Sequence, residues 1–68
     1  MTKWWSYLAK VTSTRRAHPE WREGQTYFNV LEEMEPVLAA EVRITDVDPF
    51  FDDGRVDAFR QWVSERLP

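Results

Sequence analysis

Apolar residues recur along this chain every three or four positions, a helical rather than a strand period. In residues 2–16, Trp4, Tyr7, Leu8 and Val11 fall on one side of a helix, and Lys3, Ser6, Lys10 and Ser13 on the other. Thr2 is placed to cap its start. A second periodic stretch, residues 18–34, predicts a helix opened by Pro19, whose missing N–H costs nothing at the first helical position. Trp21, Phe28 and Leu31 line one edge of it, and Tyr27, Val30 and Met34 widen that face to about half the cylinder. So broad a face predicts a central helix touching two neighbours, with Arg22, Thr26, Asn29 and Glu33 left wet. Pro36 ends that helix near Met34 and opens a short third one. There Leu38 and Val42 share a face, while Val37 and Ile44 lie on another. Residues 53–67 predict a fourth helix with Val56, Phe59, Trp62, Val63 and Leu67 in one stripe. Four short helices on short links predict a compact all-α bundle, one helical domain over residues 1–68.

Gly24 interrupts the second helix on its apolar side, at a cost of about 1 kcal/mol relative to alanine. Its position between Trp21 and Phe28 predicts close approach by another helix or by a Trp ring.

A 68-residue chain buries roughly 60% of its unfolded surface, so its stability is marginal without help. With no cysteine, disulfides and thiolate metal sites are excluded. Four Trp, four Phe and two Tyr supply the burial instead. No apolar run reaches the roughly 18 residues of a membrane span. The start lacks the long apolar stretch and small-residue cleavage site of a signal peptide. The expected location is the cytoplasm, without membrane contact.

The acidic stretch DVDPFFDDGRVDAF, residues 46–59, raises the question of a calcium loop. With Asp46 in the first ligand position, Asp48 fills the third. Phe50 and Phe51 then occupy the fifth and the obligatory glycine position. The pattern fails there, and no metal is expected. Helix entry uses the same residues better: Asp48 before Pro49 caps a turn, Asp52 or Asp53 caps the last helix, and Phe50 with Phe51 latches helices three and four.

No catalytic constellation is present. The only histidine, His18, lacks partners for a triad or a metal site, and it precedes Pro19 in what reads as extended chain. Gly24 and Gly54 are the only glycines, too few for a phosphate loop. A cleft of 300 Å³ or more is not expected in so small a helical chain. The chain therefore reads as a non-enzyme without a cofactor.

Charge is unevenly spread. Residues 1–22 hold five basic residues against Glu20, a balance of +4, and the remainder holds four arginines against eleven acidic residues, −7. Lys3, Lys10, Arg15, Arg16 and Arg22 offer themselves to nucleic-acid phosphates. A pI near 5.0 and the mixed exposed face of the fourth helix argue against that reading.

The segments HPEWREGQTYFNVL, EPVLAAEVRITDVDPFFDD and FRQWV together resemble a family of small proteins from actinobacteria, other bacteria and their phages. Their pattern is HPEWR-x-GQ-x-YFN followed by DPF-x-DD, and here it spans residues 17–63. The family has no assigned activity. The resemblance implies a phage or actinobacterial setting, where proteins of this size commonly bind a host protein.

The function expected is thus protein binding through an aromatic surface, to a host protein or to a second copy. Nucleic-acid binding through the basic third is the alternative. Trp and Arg are the residues that anchor interfaces. Trp4 and Trp5 cannot both face one core direction, and Trp5 lies about 100° off the apolar face. The expected contact residues are Trp4, Trp5, Arg15, Arg16 and Arg22, with Trp5 foremost and Trp21 as core.

Overall fold

A computed structural model describes residues 2–67. Four helices follow one another: α1 (Lys3–Ala17), α2 (Glu23–Met34), α3 (Pro36–Arg43) and α4 (Val56–Ser64). A 3₁₀ turn (Asp53–Arg55) leads into α4. The described residues form no strand, and the fold is the small all-α bundle that the periodicity predicts.

The predicted cap at the start of the chain is in place. Thr2 Oγ1 accepts the N–H of Trp5 at 3.3 Å, opening α1. Arg15 and Arg16 occupy its last turn, where the helix dipole favours cations. Glu35 serves two helices at once. Its N–H closes α2 on the Leu31 carbonyl at 2.7 Å, and its own carbonyl takes the Ala39 N–H of α3 at 3.0 Å. Pro36, without an N–H to lose, therefore follows directly as the first residue of α3.

The broad apolar face of α2 places that helix at the centre, in contact with α1, α3, α4 and the 3₁₀ turn. Its Tyr27, Phe28, Val30 and Leu31 meet Tyr7 and Val11 of α1, Ala39 and Val42 of α3, and Val56, Phe59 and Val63 of α4 in one buried cluster. Leu67 closes the cluster at the end of the chain's described part. The accessible surface is 4360 Å². That is close to the roughly 4,500 Å² expected of a folded chain of this mass. Tyr7 is fully buried, and its hydroxyl donates to the Tyr27 carbonyl at 2.6 Å. Burial pushes its phenol well above the usual tyrosine range, so it remains a neutral donor.

The start of α2 differs from the sequence reading. Pro19 does not open this helix. It lies in a turn, closed by the Trp21 N–H on the His18 carbonyl at 3.1 Å, and α2 begins four residues later with Arg22 as its N-cap. Trp21 consequently leaves the core face of α2 and is only half-buried. Thr26, expected to be wet, is buried. Its hydroxyl reaches back to the Arg22 carbonyl at 3.1 Å, which satisfies the polar atom that burial would otherwise penalise.

The segment between α3 and α4 explains Gly24. Asp48 Oδ1 accepts the Phe50 N–H at 2.9 Å, the expected capped turn at Pro49. This turn carries the Pro49 carbonyl against Gly24, where a β-carbon would collide with it. Close approach is thus the reason for the glycine, but the neighbour is loop backbone rather than a helix or a Trp ring. Asp52 caps the 3₁₀ turn through the Gly54 N–H at 2.9 Å, as expected. Asp53 does not. Its Oδ1 accepts the N–H of Gly24 at 2.9 Å, so a residue 29 positions away caps the start of α2. Phe50 packs edge-on against buried Phe28, with centroids 5.6 Å apart, whereas Phe51 points out and is 86% exposed. The expected latch between α3 and α4 is therefore replaced by a single phenylalanine, Phe50, packed on α2.

Two stability changes follow. Gly24→Ala should lower the urea midpoint, with a loss of about 1–3 kcal/mol from overpacking against an unyielding carbonyl. That outweighs the gain of about 1 kcal/mol expected in an isolated helix, and a stabilised variant would contradict the contact. Tyr7→Phe removes one hydrogen bond without opening a void. It should cost about 0.5–1.5 kcal/mol in the same titration.

Candidate functional site

Two surfaces of α1 differ in what they offer. The outer stripe holds Trp5, Ala9, Thr12 and Arg16 at i, i+4, i+7 and i+11, all of them exposed. Trp5 is 60% exposed, while adjacent Trp4 is half-buried and stacks on Tyr7 with centroids 5.9 Å apart. The 100° step between neighbouring helical positions separates the two indoles as expected: Trp4 packs on the core and Trp5 projects outward.

The basic residues of the first third do not form a free cationic patch. Lys3 pairs with Glu35 at 3.7 Å, Lys10 with Glu33 at 3.6 Å, and Arg15 with Glu23 at 3.3 Å. Arg22 faces Asp53 at 3.7 Å and donates to the Phe50 carbonyl. Arg16 is the only one of the five without a carboxylate partner among the described residues. Pairs this exposed are worth about 0–1 kcal/mol each. Their consequence is for the field. The +4 of the N-terminal third is met by carboxylates of α2, its flanks and the loop before α4, which reduces the attraction that phosphate binding needs.

The other surface is a groove between the C-terminal half of α1 and α2, with a volume of about 480 Å³. The expectation that this chain lacks room for a cleft of 300 Å³ is overturned. The shift of Trp21 out of the core face of α2 accounts for it, because Trp21 now lines the groove with His18. Their rings stack at 3.8 Å and 4°. Val30 and Ala17 supply apolar lining, Thr14 and Asn29 polar lining, and the Lys10–Glu33 pair one charged edge. His18 Nδ1 lies 3.1 Å from Glu20 Oε2. Glu20's carboxyl is held below its ordinary range, first by its own backbone N–H and then by His18.

The carboxylates of the 46–57 stretch are mostly committed to backbone. Asp48, Asp52 and Asp53 each accept an N–H, as described above. Among the described residues no three His, Asp or Glu side chains gather as a metal site. No described helix is long and apolar enough to cross a membrane.

Sequence reasoning placed Trp5 correctly on the outside and did not single out three other exposed apolar side chains, Val37, Ile44 and Phe51. The signal for Phe51 was present: of two consecutive phenylalanines after a capped turn, one must point away from the core. The His18–Trp21 stack and the groove had no such signal, since they depend on a helix start displaced by four residues. No protein-family model, curated protein or solved structure matches the chain.

The Glu20 carboxylate sets a direction for pH dependence. A carboxyl depressed in the folded state stabilises above its unfolded pKa, and that contribution is lost as pH falls through the folded pKa. Glu20→Gln should therefore melt below the parent at neutral pH and match it once both are acidified below the carboxylate range, as followed by circular dichroism.

Proposed function

We propose that this chain is a small non-enzymatic protein-binding module whose contact surface is the outer face of α1, centred on Trp5 and ending at Arg16. The observation that carries this reading is the exposure of Trp5 on a helix whose opposite side is fixed in the core by Tyr7 and Val11. An indole carried on a packed helix offers a large contact area with only two side-chain torsions to order on binding. Trp and Arg are also the residue types that dominate interface energetics. Arg16, without a carboxylate partner among the described residues, completes the stripe. Trp4, Arg15 and Arg22, also expected as contact residues, have their side chains engaged within the fold and are not assigned to this surface. The resemblance to small phage and actinobacterial proteins is in keeping with a host protein as the partner, and a second copy of the chain would use the same face.

The test compares Trp5→Ala and Arg16→Ala with the parent in sedimentation equilibrium and in capture of candidate partners. Trp5→Ala should change unfolding free energy by less than about 0.5 kcal/mol, as exposed sites do. It should weaken association by about 2 kcal/mol or more, the cost of truncating a hot spot. An unfolded Trp5→Ala, or undiminished association in both variants, would defeat the proposal. Association that collapses with added salt in the parent would instead favour phosphate contacts by the basic third.

A further inference from the structure

The groove between α1 and α2 is separate from the outer face of α1. Lys10, Thr14 and Ala17 look into it, while Trp5, Thr12 and Arg16 do not line it. Its volume of about 480 Å³ lies within the roughly 300–1,000 Å³ of small-molecule sites. Three features of its lining bear on what it would hold.

The first is charge. The groove's one ammonium, on Lys10, and the carboxylate of Glu33 neutralise each other at 3.6 Å. An anion would have to displace Glu33 and a cation Lys10, so the lining selects no net charge. The second is hydrogen bonding. The Ser13 hydroxyl is used on the Lys10 carbonyl at 3.1 Å, and His18 Nδ1 on Glu20. The Asn29 amide, the Thr14 hydroxyl and the Trp21 indole N–H bond to no described residue. Together they present donors and acceptors, all on neutral groups. The third is the apolar component: Val30, Ala17 and the Trp21 indole, the last held in place by its stack on His18.

We propose that this groove is a binding site for a neutral saccharide of one or two rings. Sugar hydroxyls donate and accept at once, which matches a lining that offers both senses without charge. The C–H face of a pyranose ring is the part of such a ligand that packs on an indole and on aliphatic side chains. A half-open groove on a small domain implies weak, millimolar binding.

The experiment is a titration of the ¹⁵N-labelled full chain with maltose, cellobiose and N,N′-diacetylchitobiose into the millimolar range, followed by amide and indole chemical shifts. At least one sugar should give saturable shifts confined to α1 from Lys10 onward, the 18–21 turn and the Asn29–Glu33 part of α2. The affinity should be insensitive to salt. Asn29→Ala should lower it about three- to tenfold, one hydrogen bond's worth, and Thr14→Val provides the same test should Asn29→Ala fail to fold. Absence of saturable shifts with all three sugars would overturn the proposal. So would shifts mapping elsewhere, affinity unchanged in the folded variants, or tighter binding of the charged probes inorganic phosphate and glycyl-phenylalanine.

Discussion

The start of α2 is seated on the loop that precedes α4, and much of the architecture depends on that contact. A helix start leaves backbone N–H groups without partners. Here the Gly24 N–H is satisfied by Asp53, and the absence of a side chain on Gly24 lets the Pro49 carbonyl come close. Arg22 adds a hydrogen bond to the Phe50 carbonyl and faces Asp53, while Phe50 packs on Phe28 one turn further along α2. Four kinds of interaction thus converge on one place: helix cap, close backbone approach, ion pair and aromatic contact. The contact fixes α4 relative to the central helix in a chain that has no disulfide to do so. It also fixes where α2 begins, and therefore where Trp21 goes.

This junction joins two distinctive segments of the sequence, HPEWREGQ and DPFFDD. Arg22 and Gly24 belong to the HPEWR-x-GQ part, and Asp48, Pro49, Phe50 and Asp53 to the DPF-x-DD part. The two parts are the two sides of one contact. Most of the distinctive residues of these two segments are therefore accounted for by folding. Asn29 is different. It makes no hydrogen bond within the described fold and lines the groove.

What could be read from the sequence was whatever depends on local periodicity. The α4 stripe, the Thr2 cap, the Pro36 start and the separation of Trp4 from Trp5 follow from helical geometry within a few residues, and the structure has each of them. The misplaced features involve a choice between neighbours decided from a distance. Pro19 satisfied the local rule for opening a helix, yet the cap that determines the start comes from Asp53. Thr26 looks wet on a helical wheel and is buried with its hydroxyl turned back to the Arg22 carbonyl. The groove was illegible for the same reason, since it arises from a turn whose position is set elsewhere in the chain.

The uneven charge along the chain illustrates how a sequence-level asymmetry can vanish on folding. A +4 segment beside a −7 segment suggests an external partner of opposite sign. Folding places Lys3, Lys10, Arg15 and Arg22 each opposite a carboxylate from the acidic part. These contacts add little stability individually, because both partners remain solvated. Their effect is to consume the polarity that the linear sequence displays. What α1 displays is less electrostatic than the linear sequence suggests: on its outside an indole and one guanidinium without a carboxylate partner among the described residues, and on its other side a groove whose ions cancel. Around α1 the ion pairs weaken the local field of the basic third, while the chain as a whole keeps its net charge of −3.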